Sequence, residues 1–161
     1  MAKSFFAMLA LLLVLDMLWV TINTKWSRGL YFERMKGPWS TKPAVFMALW
    51  VLIAVAETAL LWYVLHKPDM QSLPQALPQA AAFGALAGFV IYFVFNATSL
   101  VTTQSWSFKT AFVDTCWGTV LLASVAVLGM HLMLQNPTVV QNPTINTSST
   151  FDPAITNPAA L

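Results

Sequence analysis

Charge is what this chain has least of. Of 161 residues, eight are Lys or Arg and six are Asp or Glu, together 9%, against about 25% in a soluble domain. With 58% of residues hydrophobic, too little polar surface remains to face water, and the chain reads as a membrane protein. The single cysteine, Cys116, excludes an intrachain disulfide. Two histidines, His66 and His131, make a poor zinc signal without a third ligand, and both fall at helix ends where a ring snorkels readily to the interface. The six glycines form no phosphate-cradling loop. No nucleophile, base and orienting group stand in a recognisable arrangement, so an enzyme is the least supported class and no cofactor or metal is implied. Five of the eight basic residues, Lys25, Arg28, Arg34, Lys36 and Lys42, crowd into one short loop. No basic stripe is left to bind nucleic acid.

What is present is a set of four apolar runs, 5–22, 44–65, 80–101 and 111–134. Each is close to the roughly 20 residues that span a bilayer as a helix. The fold expected is all-α, a four-helix transmembrane bundle over 1–134 with the lipid bilayer as its surroundings, then an irregular, extended tail over 135–161. The first run has the outline of a signal peptide, but no small-x-small cleavage pattern follows, and the run continues through Asp16 and Trp19 to Ile22. It reads as a retained span. Loop 23–42 mixes its basic residues with Trp26 and Trp39, the combination found at a membrane interface. The connector 68–78 holds three prolines and is expected to be extended. Ala80, Gly84 and Gly88 stand four apart in the third run, a small-residue stripe that lets another helix approach closely.

Two of the spans carry an acid in a repeated setting. Leu15-Asp16-Met17-Leu18-Trp19-Val20-Thr21 and Val113-Asp114-Thr115-Cys116-Trp117-Gly118-Thr119 share an aliphatic residue, Asp, two residues, Trp, one residue, Thr. Acid and Trp fall on one helical face in each, since residues three apart are neighbours. A charge near the bilayer centre costs about 2.5 to 3.5 kcal/mol on insertion scales, so these acids must face protein, water or a partner. Counting from the ends of the runs, Asp16, Asn96 and Asp114 fall in the half nearest loop 23–42. With Thr98 and Ser99 they form the expected buried polar cluster, and Glu57 is a second buried acid nearer the other half. Trp19, Trp106 and Trp117 join Trp26 and Trp39 as expected interfacial aromatics. One reading has the polar groups fix helix register, each pair contributing about 0.6 kcal/mol. The other is a proton or cation pathway in which two carboxylates share a proton. No Lys or Arg lies within the runs to neutralise them.

After Leu134 the composition changes to Asn-Pro and Asp-Pro steps, with the repeat Gln135-Asn136-Pro137-Thr138 and Gln141-Asn142-Pro143-Thr144. Such a segment builds no core. Val139, Val140, Ile145, Phe151 and Ile155 are spaced as apolar anchors, so the tail is expected to dock a protein partner.

The block from Phe95-Asn96-Ala97-Thr98-Ser99 through Trp106 to Val113-Asp114-Thr115-Cys116-Trp117-Gly118-Thr119, with Leu15-Asp16-Met17-Leu18-Trp19 in the first run, resembles a known family. Its members are small four-helix membrane proteins classed as a domain of unknown function, mostly bacterial, with some in large DNA viruses. The family pattern reads Tyr-Asp-x-Thr-Asn, then Trp, then Val-Asp-x-x-Trp-Gly-Thr. This chain departs from it at Phe95-Asn96 and at Ser99, so a neutral amide stands where the family has an acid. The variant resembles the viral members more closely. The resemblance implies the four-helix membrane fold and supplies no reaction. The functional expectation is a non-enzymatic structural or assembly component, of a large virus's membrane or capsid, with the tail docking a partner. The alternative is a small proton- or cation-coupled transporter or channel using the buried carboxylates.

Because short cytoplasmic loops hold the excess of Lys and Arg, loop 23–42 is expected inside and both termini opposite. In a glycosylating membrane system, Asn146 of Asn146-Thr147-Ser148 is then expected to be modified, while Asn96 of Asn96-Ala97-Thr98 is not. Modification of an acceptor tag placed in the basic loop, with none in the tail, would invert this topology.

Overall fold

A bilayer core offers no water to a backbone N–H or C=O, so each apolar run must close its hydrogen bonds within itself. The computed structural model of the chain describes residues 2–26, 43–72, 74–102 and 106–135. Within them the regular structure is helical throughout: α1 (Ala2–Trp26), α2 (Pro43–Leu65), the short α3 (Pro68–Ser72), α4 (Ala76–Thr102) and α5 (Phe108–Leu134). All but α3 are long and apolar enough to cross a membrane. Their outward faces carry bare apolar side chains, with Phe6, Leu52 and Leu86 each more than 60% exposed. That surface suits hydrocarbon and makes the chain a multi-pass membrane protein.

Contacts run in opposite numerical order between α1 and α2, between α1 and α5 and between α4 and α5, so the spans of each of these pairs are antiparallel. Phe5 and Asp16 of α1 meet Trp62 and Trp50 of α2. Met8 and Trp19 meet Gly129 and Trp117 of α5. Gly84 and Asn96 of α4 meet the Leu122–Ala126 stretch and Asp114 of α5. The result is an up-down-up-down bundle with α5 as its hub. It packs most extensively on α4 and also on α1 and α2, whereas α2 and α4 scarcely touch. Accordingly α5 has the most buried face, with Leu121, Leu122, Val125, Ala126 and Met130 fully enclosed.

The element boundaries differ from expectation where polar and proline residues stand. The first helix continues past 22 to Trp26, because helical backbone tolerates Asn23, Thr24 and Lys25 once it has left the hydrocarbon. The connector 68–78 is not extended. Pro68 opens α3 at a first-turn position that needs no N–H, and Pro78 is the third residue of α4. From α3 the Gln71 Nε2 donates to the Leu65 carbonyl at 3.1 Å, satisfying one of the orphan acceptors at the end of α2. The fourth span begins at Phe108, earlier than the apolar run, because Ser107 caps it by accepting from the Thr110 N–H at 3.2 Å. Arg28, Arg34, Lys36, Trp39 and Lys42 lie outside the described residues. So do the tail positions Val139, Val140, Ile145, Phe151 and Ile155.

The tightest seam is between α4 and α5, where Ala80, Gly84 and Gly88 are buried. A Cβ at Gly84 would stand 2.5 Å from the Leu122 carbonyl oxygen and 2.7 Å from the Ala126 Cβ. One at Gly88 would overlap the Gly118 carbonyl, and one at Gly118 would overlap the Tyr92 ring. At Gly88 the obstruction is backbone, which cannot rotate aside. Gly88→Ala is therefore expected to lower stability by about 1 to 3 kcal/mol, the range of overpacking. Leu86→Ala, two residues away on the lipid-facing side, should change it far less. Thermal unfolding of the two variants in one detergent checks this, and equal losses would mean that the helices do not meet at Gly88.

Candidate functional site

The chemistry of the α4–α5 seam centres on one amide. Asn96 is 1% exposed, and its Nδ2 donates to the Asp114 Oδ2 at 2.9 Å and to the Tyr92 carbonyl, one turn back, at 2.8 Å. The Thr115 Oγ1 lies at 3.4 Å, a weaker third contact for a group with two hydrogens. Its Oδ1 accepts from the Trp106 indole at 3.0 Å. Trp106 is thus drawn back from the α4–α5 turn onto the bundle, in edge contact with Phe95. It is a bonded partner of the polar cluster as well as an aromatic near a helix end.

The Asp-x-x-Trp repeat is resolved by a ring stack. Trp19 and Trp117 lie face to face, with centroids 4.6 Å apart and planes 4° from parallel. Both were expected at the interface, but each is set well inside its helix and half-buried between α1 and α5. Because the helices run antiparallel and each Asp precedes its Trp by three residues, the acids fall on opposite sides of the stack. They are ~9 Å apart along the bundle axis. A proton shared directly by Asp16 and Asp114 does not fit this geometry. Asp16 instead accepts from the Trp50 indole at 2.7 Å, with Trp117 and Asp114 close enough to act on its charge.

The Asp16–Trp50 pairing also sets the register of α2. Glu57 falls a further ~10 Å along the axis from Asp16, so the three acids are spaced like rungs along the bundle. All three line one cavity of about 240 Å³, walled by Trp50, Ala54, Ile91, Tyr92 and Phe95. Glu57 is 7% exposed. Among the described residues it has no hydrogen-bond partner, and Asp16 is close enough to act on its charge.

Two members of the expected cluster are elsewhere. Thr98 is exposed, since two helical steps turn it about 200° away from Asn96. Its carbonyl accepts from the Thr102 hydroxyl at 2.8 Å. Ser99 is half-buried on α4 and does not line the cavity. Cys116 is exposed on an apolar groove between α4 and α5 with Phe89, Phe93 and Phe112. His66 and His131 each contact their own helix, His66 at the Trp62 carbonyl and His131 at Gln135. No three His, Cys, Asp or Glu side chains among the described residues converge to hold a metal ion. The residues that sequence reasoning missed are Trp50 and Tyr92. Trp50, Ala54 and Glu57 recur at i, i+4 and i+7, and Tyr92 precedes Asn96 by four, so helical spacing from the known polar residues was the available signal.

A double-mutant cycle tests the amide. Asn96→Leu removes the donor to the Asp114 carboxylate and the acceptor of the Trp106 N–H, and should cost about 1 to 3 kcal/mol. In combination with Asp114→Leu the losses should fall short of additive by about 0.6 to 1.7 kcal/mol, the span measured for polar pairs in membrane bundles. Unfolding in detergent gives all four corners, and strict additivity would mean that the two side chains are not bonded.

Neither a curated protein nor a solved structure matches the chain. A family model does, over residues 1–131, from the start of α1 to the last turn of α5. It takes in all four spans, both Asp-x-x-Trp segments, Glu57 and Asn96. On that match the chain belongs to the family described as "Predicted membrane protein (DUF2177)".

Proposed function

We propose that this is a non-enzymatic membrane protein whose four-helix domain takes up a proton or small cation at the carboxylates of its central cavity, with loop 23–42 on the cytoplasmic side. The observation that carries the reading is Glu57. It is 93% buried, lines the same cavity as Asp16 and Asp114, and has no hydrogen-bond donor among the described residues. An ionised carboxylate in apolar surroundings is expensive unless paired, and no Lys or Arg lies within the apolar runs 5–22, 44–65, 80–101 and 111–134. A proton or a cation from outside the chain meets that need. The spacing of the three acids along the bundle axis offers successive stations across much of the membrane, which a single buried ion pair would not.

A second reading, a structural or assembly component with tail 136–161 docking a partner, draws on a different observation. Asp16 and Asp114 are each already held from a neighbouring helix, by Trp50 and Asn96. Bonds of that kind lock register without any traffic through the site.

Flux in reconstituted vesicles separates the two. The uptake reading expects proton, sodium or potassium flux that Glu57→Gln reduces about tenfold or more, equivalent to ~1.4 kcal/mol. Absence of flux for all three ions, or flux indifferent to Glu57→Gln, leaves the assembly reading in place.

A further inference from the structure

The cavity has a shape that a bare ion does not require. It is lined by Asp16, Glu57 and Asp114 together with the aromatic residues Trp50, Tyr92 and Phe95. Its mouth is formed by residues that also belong to the outer surface, for Ile53 of α2 and Phe95 of α4 are each 56% exposed. These two helices scarcely touch, while α1 and α5 close the opposite side. The opening therefore faces sideways, toward lipid. Its volume of about 240 Å³ is that of roughly eight waters at about 30 Å³ each, and lies below the usual range of about 300 to 1,000 Å³ for drug-sized ligands.

The positions of the walls are built into the fold. Trp50 is held by its bond to Asp16 at 2.7 Å. Tyr92 lies over Gly118, where a side chain would collide with its ring, and Phe95 is braced edge-on by Trp106. Aromatic faces around a carboxylate recognise an ammonium group, the rings through their quadrupole and the acid through its charge. The acids are too dispersed to converge on one metal ion, and that dispersal suits a cation whose charge is spread over an organic body.

From the cavity and its mouth we infer that this site binds a small lipophilic ammonium, an alkylamine or quaternary amine, which enters from the bilayer between α2 and α4. The charged head sits between Glu57 and Asp16, beside Trp50 and Tyr92, and the apolar body lies along Ile91, Phe95 and Ile53. The inference rests on the cation-uptake reading above and narrows its ligand class. The ammonium supplies Glu57 with the ion pair that no described residue provides. Entry from lipid spares the ligand a passage through the apolar bundle and concentrates it at the mouth by partitioning.

The test uses the full chain in phospholipid nanodiscs, titrated calorimetrically with hexyltrimethylammonium against empty nanodiscs. Saturable binding is expected, weakened about tenfold or more by Glu57→Gln. Ile53→Trp, at the mouth, should slow or weaken binding. Leu52→Trp, its lipid-facing neighbour outside the cavity, should not. The uncharged carbon isostere 2,2-dimethyloctane, dissolved in the same bilayer, should fail to compete. Competition by the isostere, equal effects of the two tryptophan variants, or binding indifferent to Glu57→Gln would each overturn the inference. If Glu57→Gln does not fold, Asp16→Asn provides the same comparison. Sodium or potassium binding that depends on Glu57, without any ammonium binding, would overturn this inference and leave the uptake reading standing. No Glu57-dependent binding of any of these cations would remove the ammonium site, and absence of flux would separately remove the uptake reading.

Discussion

Asn96 is where the bundle's polar interior is tied together. Lipid is as apolar as leucine, so burial alone gives the four spans no reason to pack, and close contact and hydrogen bonding must supply it. A side-chain amide with two donors and one acceptor, 1% exposed, bridges α4 to Asp114 of α5 while holding Trp106 of the intervening turn. That contact is possible only because the same two helices approach to backbone distance at Gly84, Gly88 and Gly118. Small residues create the proximity and the amide fixes the register. Displacement of α4 by one residue along α5 would move the amide by ~1.5 Å and rotate it by about 100° away from the carboxylate.

The same economy governs the α1–α5 contact. A seven-residue pattern used twice, on antiparallel helices, generates a local near-symmetry: the tryptophans meet and the acids are thrown to either side. Had the helices been parallel, the two carboxylates would have faced each other at one depth, repelling in a medium that screens poorly. Antiparallel packing turns that conflict into a spaced series with Glu57, and leaves each acid room for its own partner. Asp16 finds Trp50, Asp114 finds Asn96. Glu57 faces the cavity without one among the described residues, which is why the functional reading concentrates there.

The presence of an amide at position 96 is intelligible in these terms. An amide can donate to Asp114 and accept from Trp106 at once, whereas an ionised acid at that position could only accept. The seam of this chain thus needs no proton to be stable. The remaining ionisable chemistry is displaced toward Asp16 and Glu57, on the side of the bundle that opens between α2 and α4.

The sequence by itself determined the four spans, their membrane setting and that Glu57, Asn96 and Asp114 would be buried, because hydrophobic run length and the cost of a buried charge are local properties of the chain. The small-residue stripe at Ala80, Gly84 and Gly88 was legible for the same reason: a missing side chain is visible without knowing the neighbour. Only the tertiary structure decided which neighbour filled that space, that Trp19 and Trp117 stack inside the bundle, that Thr98 turns outward, and that Trp50 and Tyr92 wall a cavity reached by Glu57. Each of these depends on the rotation and axial register of one helix against another. Along an all-apolar helix with little difference between its faces, local sequence leaves rotation almost free, and contacts with the other spans fix it.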